Sequence, residues 1–111
     1  MRVVNVRGLT PNSPGVVYCG RACAGWQQSP LHNPVRKGAS CPVCGRIHRE
    51  PGDTLTCFRR YLWGQIKRGR LVKEILALPE NAKLGCWCSP DPCHCEVILR
   101  ARRWLERRGE R

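Results

Sequence analysis

Four of the nine cysteines fall within ten residues, Cys86 to Cys95, in the run Leu-Gly-Cys-Trp-Cys-Ser-Pro-Asp-Pro-Cys-His-Cys-Glu-Val-Ile. No other segment restricts the fold as strongly. In extended backbone the side chains at i and i+2 share a face, so Cys86 and Cys88 point the same way. Pro90 and Pro92 then impose a loop. Cys93, His94 and Cys95 arrive where a helical pattern begins, and a helix N-terminus lowers a thiol pKa and attracts anions. Strand, tight loop and helix start, with thiols on both sides, describe either a metal site or a reactive anion pocket.

A chain of 111 residues suits a single domain, 1–111, with room for one modest core. No apolar run reaches the roughly 20 residues of a membrane span, and Met-Arg-Val-Val-Asn-Val-Arg is not the start of a secretory signal. The expectation is a soluble protein of the cytoplasm, without a membrane partner. In a reducing compartment disulfides are disfavoured, so nine cysteines argue for metal or chemistry, and an odd number leaves at least one thiol out of any intramolecular pairing. The net charge of +12, from 20 Lys+Arg against 8 Asp+Glu, favours polyanionic or phosphorylated partners. The bland alternative is a generally arginine-rich composition, since arginine is spread over every segment.

Residues 2–7 alternate around Val3, Val4 and Val6 and predict a first strand. A Pro/Gly/Asn turn over 8–15 leads to a second strand at 16–19. A polar, proline-punctuated loop follows over 24–38, and a compact cysteine hairpin over 39–52. Asp53 reads as the N-cap of a helix that buries Phe58, Tyr61, Leu62 and Ile66 and stops at Gly69. A short helix over 71–78 precedes a third strand over 83–88. The last helix has its apolar stripe at Val97, Ile98, Ala101, Trp104 and Leu105, with arginines opposite. The order β, β, loop, α, α, β, α predicts an α/β fold: a small Rossmann-like sheet domain with a zinc hairpin inserted at 39–57, its functional loops gathered at one end of the sheet.

Within the hairpin, Cys41-Pro-Val-Cys44-Gly is a knuckle turn that brings two thiolates to one ion. His48 and Cys57 are the local candidates for completing a tetrahedral zinc site. Cys19 and Cys23 offer an alternative, all-cysteine completion. A polar hairpin with almost no core of its own needs such a staple. The second cluster offers Cys86, Cys88 and Cys93 with either His94 or Cys95. Adjacent residues ligate one ion only awkwardly, so the last two compete. The spacing matches neither familiar ferredoxin run. The catalytic alternative makes one of these thiols a nucleophile beside His94.

These motifs resemble a domain-of-unknown-function family found in phages and bacteria. The resemblance rests on Val3, Asn5 and Arg7 (V-x-N-x-R), on Tyr18, Gly20 and Arg21 (Y-x-G-R), and on Asn33-Pro34. It is most specific at Cys86, Cys88, Pro90, Cys93 and His94 (C-x-C-x-P-x-x-C-H). It spans nearly the whole chain and implies an architecture and a residue set, not a reaction. Its members imply the cytoplasm of a bacterium or of a phage-infected host cell. The chain departs from the pattern in carrying Cys95 where glycine is usual, and in carrying the 41–57 hairpin.

Two functional classes follow. Asn5, Arg7, Gly20, Arg21, Asn33 and His94 fall at strand ends or loop starts, which converge in one crevice in an open α/β sheet and suit a phosphate-bearing ligand. That ligand is a nucleotide to be bound, or a nucleotide or sugar phosphate to be acted on by an enzyme. Taken singly, each of these residues is equally an exposed charge or a turn residue. The basic surface, Arg46 and Arg49 in the hairpin, and Trp26 as a stacking platform point instead to nucleic acid. An adaptor that binds a host protein is a third class.

Overall fold

The computed structural model describes residues 1–50, 52–88 and 91–109. Valine-rich segments supply the two outer strands of the sheet. Strand β1 is Arg2–Asn5, β2 is Val16–Tyr18 and β3 is Lys83–Cys86. They form one parallel sheet in the order β1-β3-β2, so the last strand to be made lies in the centre. Leu84 pairs with Val3 on one side and with Val17 on the other. The ladder runs on past the strand ends: the Val6 amide donates to the Cys86 carbonyl at 2.9 Å, and the Cys19 amide to the Gly85 carbonyl at 3.0 Å. All three strands therefore finish at one end of the sheet, where Asn5, Tyr18 and Cys86 stand side by side. Ligand crevices of open parallel sheets form at that end.

Helix α1 (Leu55–Lys67) buries Phe58 and Leu62, one turn apart, while its arginines stay outside. Helix α2 (Val72–Leu76) contributes Ile75, and α3 (His94–Gly109) contributes Ile98 and Ala101. With Leu84, Cys19, Cys86, Cys93 and Cys95 these side chains make one core. Each large aliphatic or aromatic chain buried there contributes about 1.5–3 kcal/mol. Trp63 of α1 and Trp104 of α3 meet edge-on at 4.7 Å, and the Arg108 guanidinium covers Trp104 at 4.6 Å. The two indoles thus join the helices rather than the sheet.

The element order expected from the sequence is present, a small mixed α/β domain with a three-stranded parallel sheet and clustered cysteines. The boundaries differ. β3 ends at Cys86 rather than 88, because Trp87 turns out of the ladder to brace neighbouring loops. The expectation for Pro90 falls outside the described residues. Asp53 is not the cap of α1. Thr54 holds that position without a side-chain capping hydrogen bond, and the Asp53 carboxylate is used elsewhere. No helix of the described residues is long and apolar enough to cross a membrane.

Gly85 marks the tightest point of the sheet. A Cβ there would run into the Val6 side chain and would meet Val16 Cγ1 at 3.3 Å. Gly85→Ala is expected to destabilise the fold by about 1–3 kcal/mol, the usual range for overpacking. Urea denaturation of the two proteins measures it, and an unchanged midpoint would mean that the strands part more easily than this packing allows.

Candidate metal centres and the crevice at the sheet end

The hairpin turns at Gly45, whose φ of 78° lies in the left-handed region that glycine adopts without cost. The Gly45 amide donates to the Cys41 carbonyl at 2.9 Å, and the Cys41 amide to the Arg46 carbonyl at 2.8 Å. This fold aims further amides at sulfur: those of Val43 and Cys44 reach Cys41 Sγ at 3.3 and 3.5 Å, and that of Arg46 reaches Cys44 Sγ at 3.4 Å. N–H donors stabilise the thiolate form, which is the form that ligates a metal.

His48 follows on the returning arm and Cys57 comes from the first turns of α1. The ligand atoms of Cys41, Cys44, His48 and Cys57 all lie within 4.8 Å of one another. Around a tetrahedral ion with sulfur at about 2.3 Å, neighbouring sulfurs stand roughly 3.8 Å apart, so a small contraction closes the set. His48 Nε2 faces Cys44 Sγ at 3.5 Å, while its Nδ1 lies 3.4 Å from Asp53 Oδ2. The Arg49 amide donates to that same oxygen at 3.2 Å. Asp53 therefore sets the ring so that Nε2 points inward, the usual task of a carboxylate behind a ligating histidine. Sequence reasoning missed this role. The available signal was an acidic residue five positions after a candidate histidine ligand.

Burial works against ionisation of Cys41, but the Cys44 and Val43 amides, His48 and Cys57 outweigh it and lower its pKa to about 6. Burial, with the neighbouring Cys44 and Cys41, raises Cys57 to about 11. The apolar support is slight: among the described residues Val35, Cys41 and Cys57, exposed by 1%, 3% and 5%, make up this second core. Two of these three are thiols, so the cluster offers a ligand set more than an apolar core.

The second centre joins β3 to α3. The sulfurs of Cys86, Cys93 and Cys95 lie within 4.8 Å of one another, and all three side chains are buried. Cys95 rather than His94 joins the set. His94 Nε2 lies 2.6 Å from the Cys19 carbonyl, which can only accept, so Nε2 carries the proton; Nδ1 faces Cys93 Sγ at 3.6 Å. Both ring nitrogens are thus engaged, and the imidazole ties the start of α3 to the end of β2. Cys88, expected as a ligand, is not one of the group, though Cys86 and Cys93 are near enough to raise its pKa. Hydrogen bonds from Cys86, Cys88 and Cys95 hold Cys93 far below its ordinary range, and the Cys95 amide donates to its sulfur at 3.5 Å. Cys19 lies beside Cys95 but stands outside the group. Cys23 is exposed and belongs to neither group, so the alternative all-cysteine completion of the hairpin is not formed.

A crevice of about 650 Å³ opens at the carboxyl ends of the strands, with Gly20, Arg21, Asn33, Cys88 and His94 in its wall. Arg36, Lys37, Thr54 and Trp87 line it too, and these the sequence reading did not single out. Arg21 is partly committed, since its Nε and Nη2 donate to the Asn33 and Val35 carbonyls at 3.0 and 3.2 Å. Burial, with Arg36 nearby, lowers its pKa. Asn33 accepts from the Val35 amide and donates to Thr54 Oγ1. Asn5 accepts from the Arg7 amide and donates to the Trp87 carbonyl, so it braces two loops. Neither Asn5 nor the exposed Arg7 lines the crevice. Trp26 is buried and stacks on Tyr18 at 4.9 Å, which removes it as an exposed platform for a base. Trp87 is exposed at the rim, its Nε1 donating to the Tyr18 hydroxyl at 3.0 Å.

The chain belongs to the family described as domain of unknown function DUF4326, which matches residues 4–104. No curated protein and no solved structure matches it significantly.

Asp53→Ala is expected to weaken metal binding at the hairpin by about 10–100-fold while leaving the ligands in place, the usual cost of losing such a carboxylate. Competition with a chromophoric chelator reads this directly, and an unchanged affinity would remove Asp53 from the site. Binding also requires thiolates, so affinity should fall as pH drops through about 6, where Cys41 regains its proton. At neutral pH Cys57 still carries its proton and must release it. Binding heats compared across buffers of different ionisation enthalpy give that release, and no release would contradict ligation by Cys57.

Proposed function

We propose that this chain is a zinc-bearing, basic domain that binds a nucleotide through its phosphate in the crevice at the sheet end. The observation that carries the reading is the crevice's composition. Arg21, Arg36 and Lys37 line it, and no carboxylate does so among the described residues. Concave walls and one sign of charge concentrate anions. Gly20 makes room for the Tyr18 ring beside the cations, and the Trp87 indole at the rim supplies a flat apolar surface suited to a base.

Zinc is assigned from the donor sets. Three thiolates and an imidazole, or thiolates alone, favour zinc among the common divalent ions. In this reading Cys41, Cys44, His48 and Cys57 hold a structural zinc that makes 39–57 a zinc hairpin. Cys86, Cys93 and Cys95, with Cys88, hold a second ion against a small Rossmann-like sheet. Such sites keep their thiols reduced most readily in the cytoplasm of a bacterial or phage-infected cell.

A second reading, in which the partner is a longer nucleic acid, draws on the net charge of +12 and on the arginines of the hairpin. The two readings differ in salt dependence. A polynucleotide that neutralises many phosphates loses affinity steeply with salt, while a single nucleotide loses little. Adenosine diphosphate is expected to bind with one-to-one stoichiometry in calorimetry. Replacing both Arg36 and Lys37 with Ala should weaken it roughly tenfold, about 1.4 kcal/mol. Absence of binding by adenosine diphosphate and by inorganic phosphate at low salt would overturn the nucleotide reading. A steep salt slope with an oligonucleotide alone would transfer the function to the longer polymer.

A further inference from the structure

The second centre differs from the hairpin centre in one respect that bears on chemistry. Cys93 and Cys95 are exposed by 2% and 0%, and Cys86 by 2%, so three corners of a tetrahedron are fixed in the core. Cys88, the one sulfur near enough to supply the fourth corner from the crevice side, is exposed. It reaches only two of the three buried sulfurs and lies in the crevice wall. Arg21 is close enough to Cys88 for their charges to attract. Structural metal sites are closed on every side, whereas working sites keep a corner that can change hands.

We propose that the metal held by Cys86, Cys93 and Cys95 presents its fourth corner to the crevice, and that Cys88 is the exchangeable ligand there, displaced by a phosphate oxygen of the bound anion. This inference rests on the crevice being the anion site. In the exchange the Cys88 sulfur–metal bond breaks and an oxygen–metal bond forms. The released thiolate stays beside Arg21 or takes a proton from water. The anion then has the metal on one side and the Arg21 guanidinium on the other, an arrangement that polarises the phosphoryl group.

The test uses the full chain loaded with Co²⁺ in place of the native metal, with inorganic phosphate as probe. Cobalt reports its ligands through its visible absorption. Phosphate should shift the visible bands of the unmutated protein. Cys88→Ala should keep both equivalents of cobalt, show weaker sulfur-to-metal absorption and bind phosphate roughly tenfold more tightly, because the internal competitor is gone. Cys86→Ala should lose one equivalent. If Cys88→Ala also loses an equivalent, Cys88 is a fixed structural ligand and the proposal fails. If calorimetry shows phosphate binding while the bands of the unmutated protein stay still, the crevice reading stands and metal coordination is refuted. If neither method detects phosphate, the crevice reading and this inference fall together.

Discussion

Where β3 ends and α3 begins, the sulfurs of Cys86, Cys93 and Cys95 meet inside the main core. That meeting determines much of the rest. It fixes the direction in which the chain leaves the central strand, and it presses the N-terminus of α3 against the sheet. His94 then crosses to the Cys19 carbonyl and anchors the loop that carries Gly20 and Arg21. Three clustered thiols lack the apolar area of a leucine core, and they share charge unequally, with Cys93 drawn toward the thiolate. A divalent ion would resolve that imbalance by making all the sulfurs equivalent anions around one cation. The hairpin poses the same problem on a smaller scale, since among the described residues Val35 is the one aliphatic side chain in its core.

The crevice inherits its shape from these two clusters. One wall grows out of the loop that Arg21 clamps to Asn33 and Val35. The opposite wall is the segment at Cys86–Cys88, held in place by Asn5 through the Trp87 carbonyl and by Tyr18 through the Trp87 indole. Asn5, Tyr18 and Arg21 thus act chiefly on loop geometry. Their hydrogen bonds tie together strand ends and loops that border the same cavity. Arg36 and Lys37 line the same cavity and add to the charge that would meet a ligand.

Much of this was legible in the sequence. Helical spacing at Phe58 and Leu62 and at Ile98 and Ala101 marked the faces that do bury, and the valine runs marked the first two strands. The grouping of Cys41, Cys44, His48 and Cys57 was legible because a knuckle turn demands partners and His48 and Cys57 were the nearest. Less legible was anything that depended on long-range approach. Whether Cys95 or His94 turned toward Cys86 depended on the Cys19 carbonyl, 75 positions away. Asp53 looked like a helix cap because acidic residues before apolar runs commonly are, yet a nearby imidazole competed for its carboxylate. Trp26 looked available because its loop is polar, but Tyr18 offered a ring to stack on.

The central claim is that two metal ions, not apolar burial alone, hold the hairpin and the β3–α3 junction. Elemental analysis of protein purified without added metal tests it most directly. The account predicts two equivalents of zinc per chain. A chain that is folded, reduced and free of bound metal would contradict it.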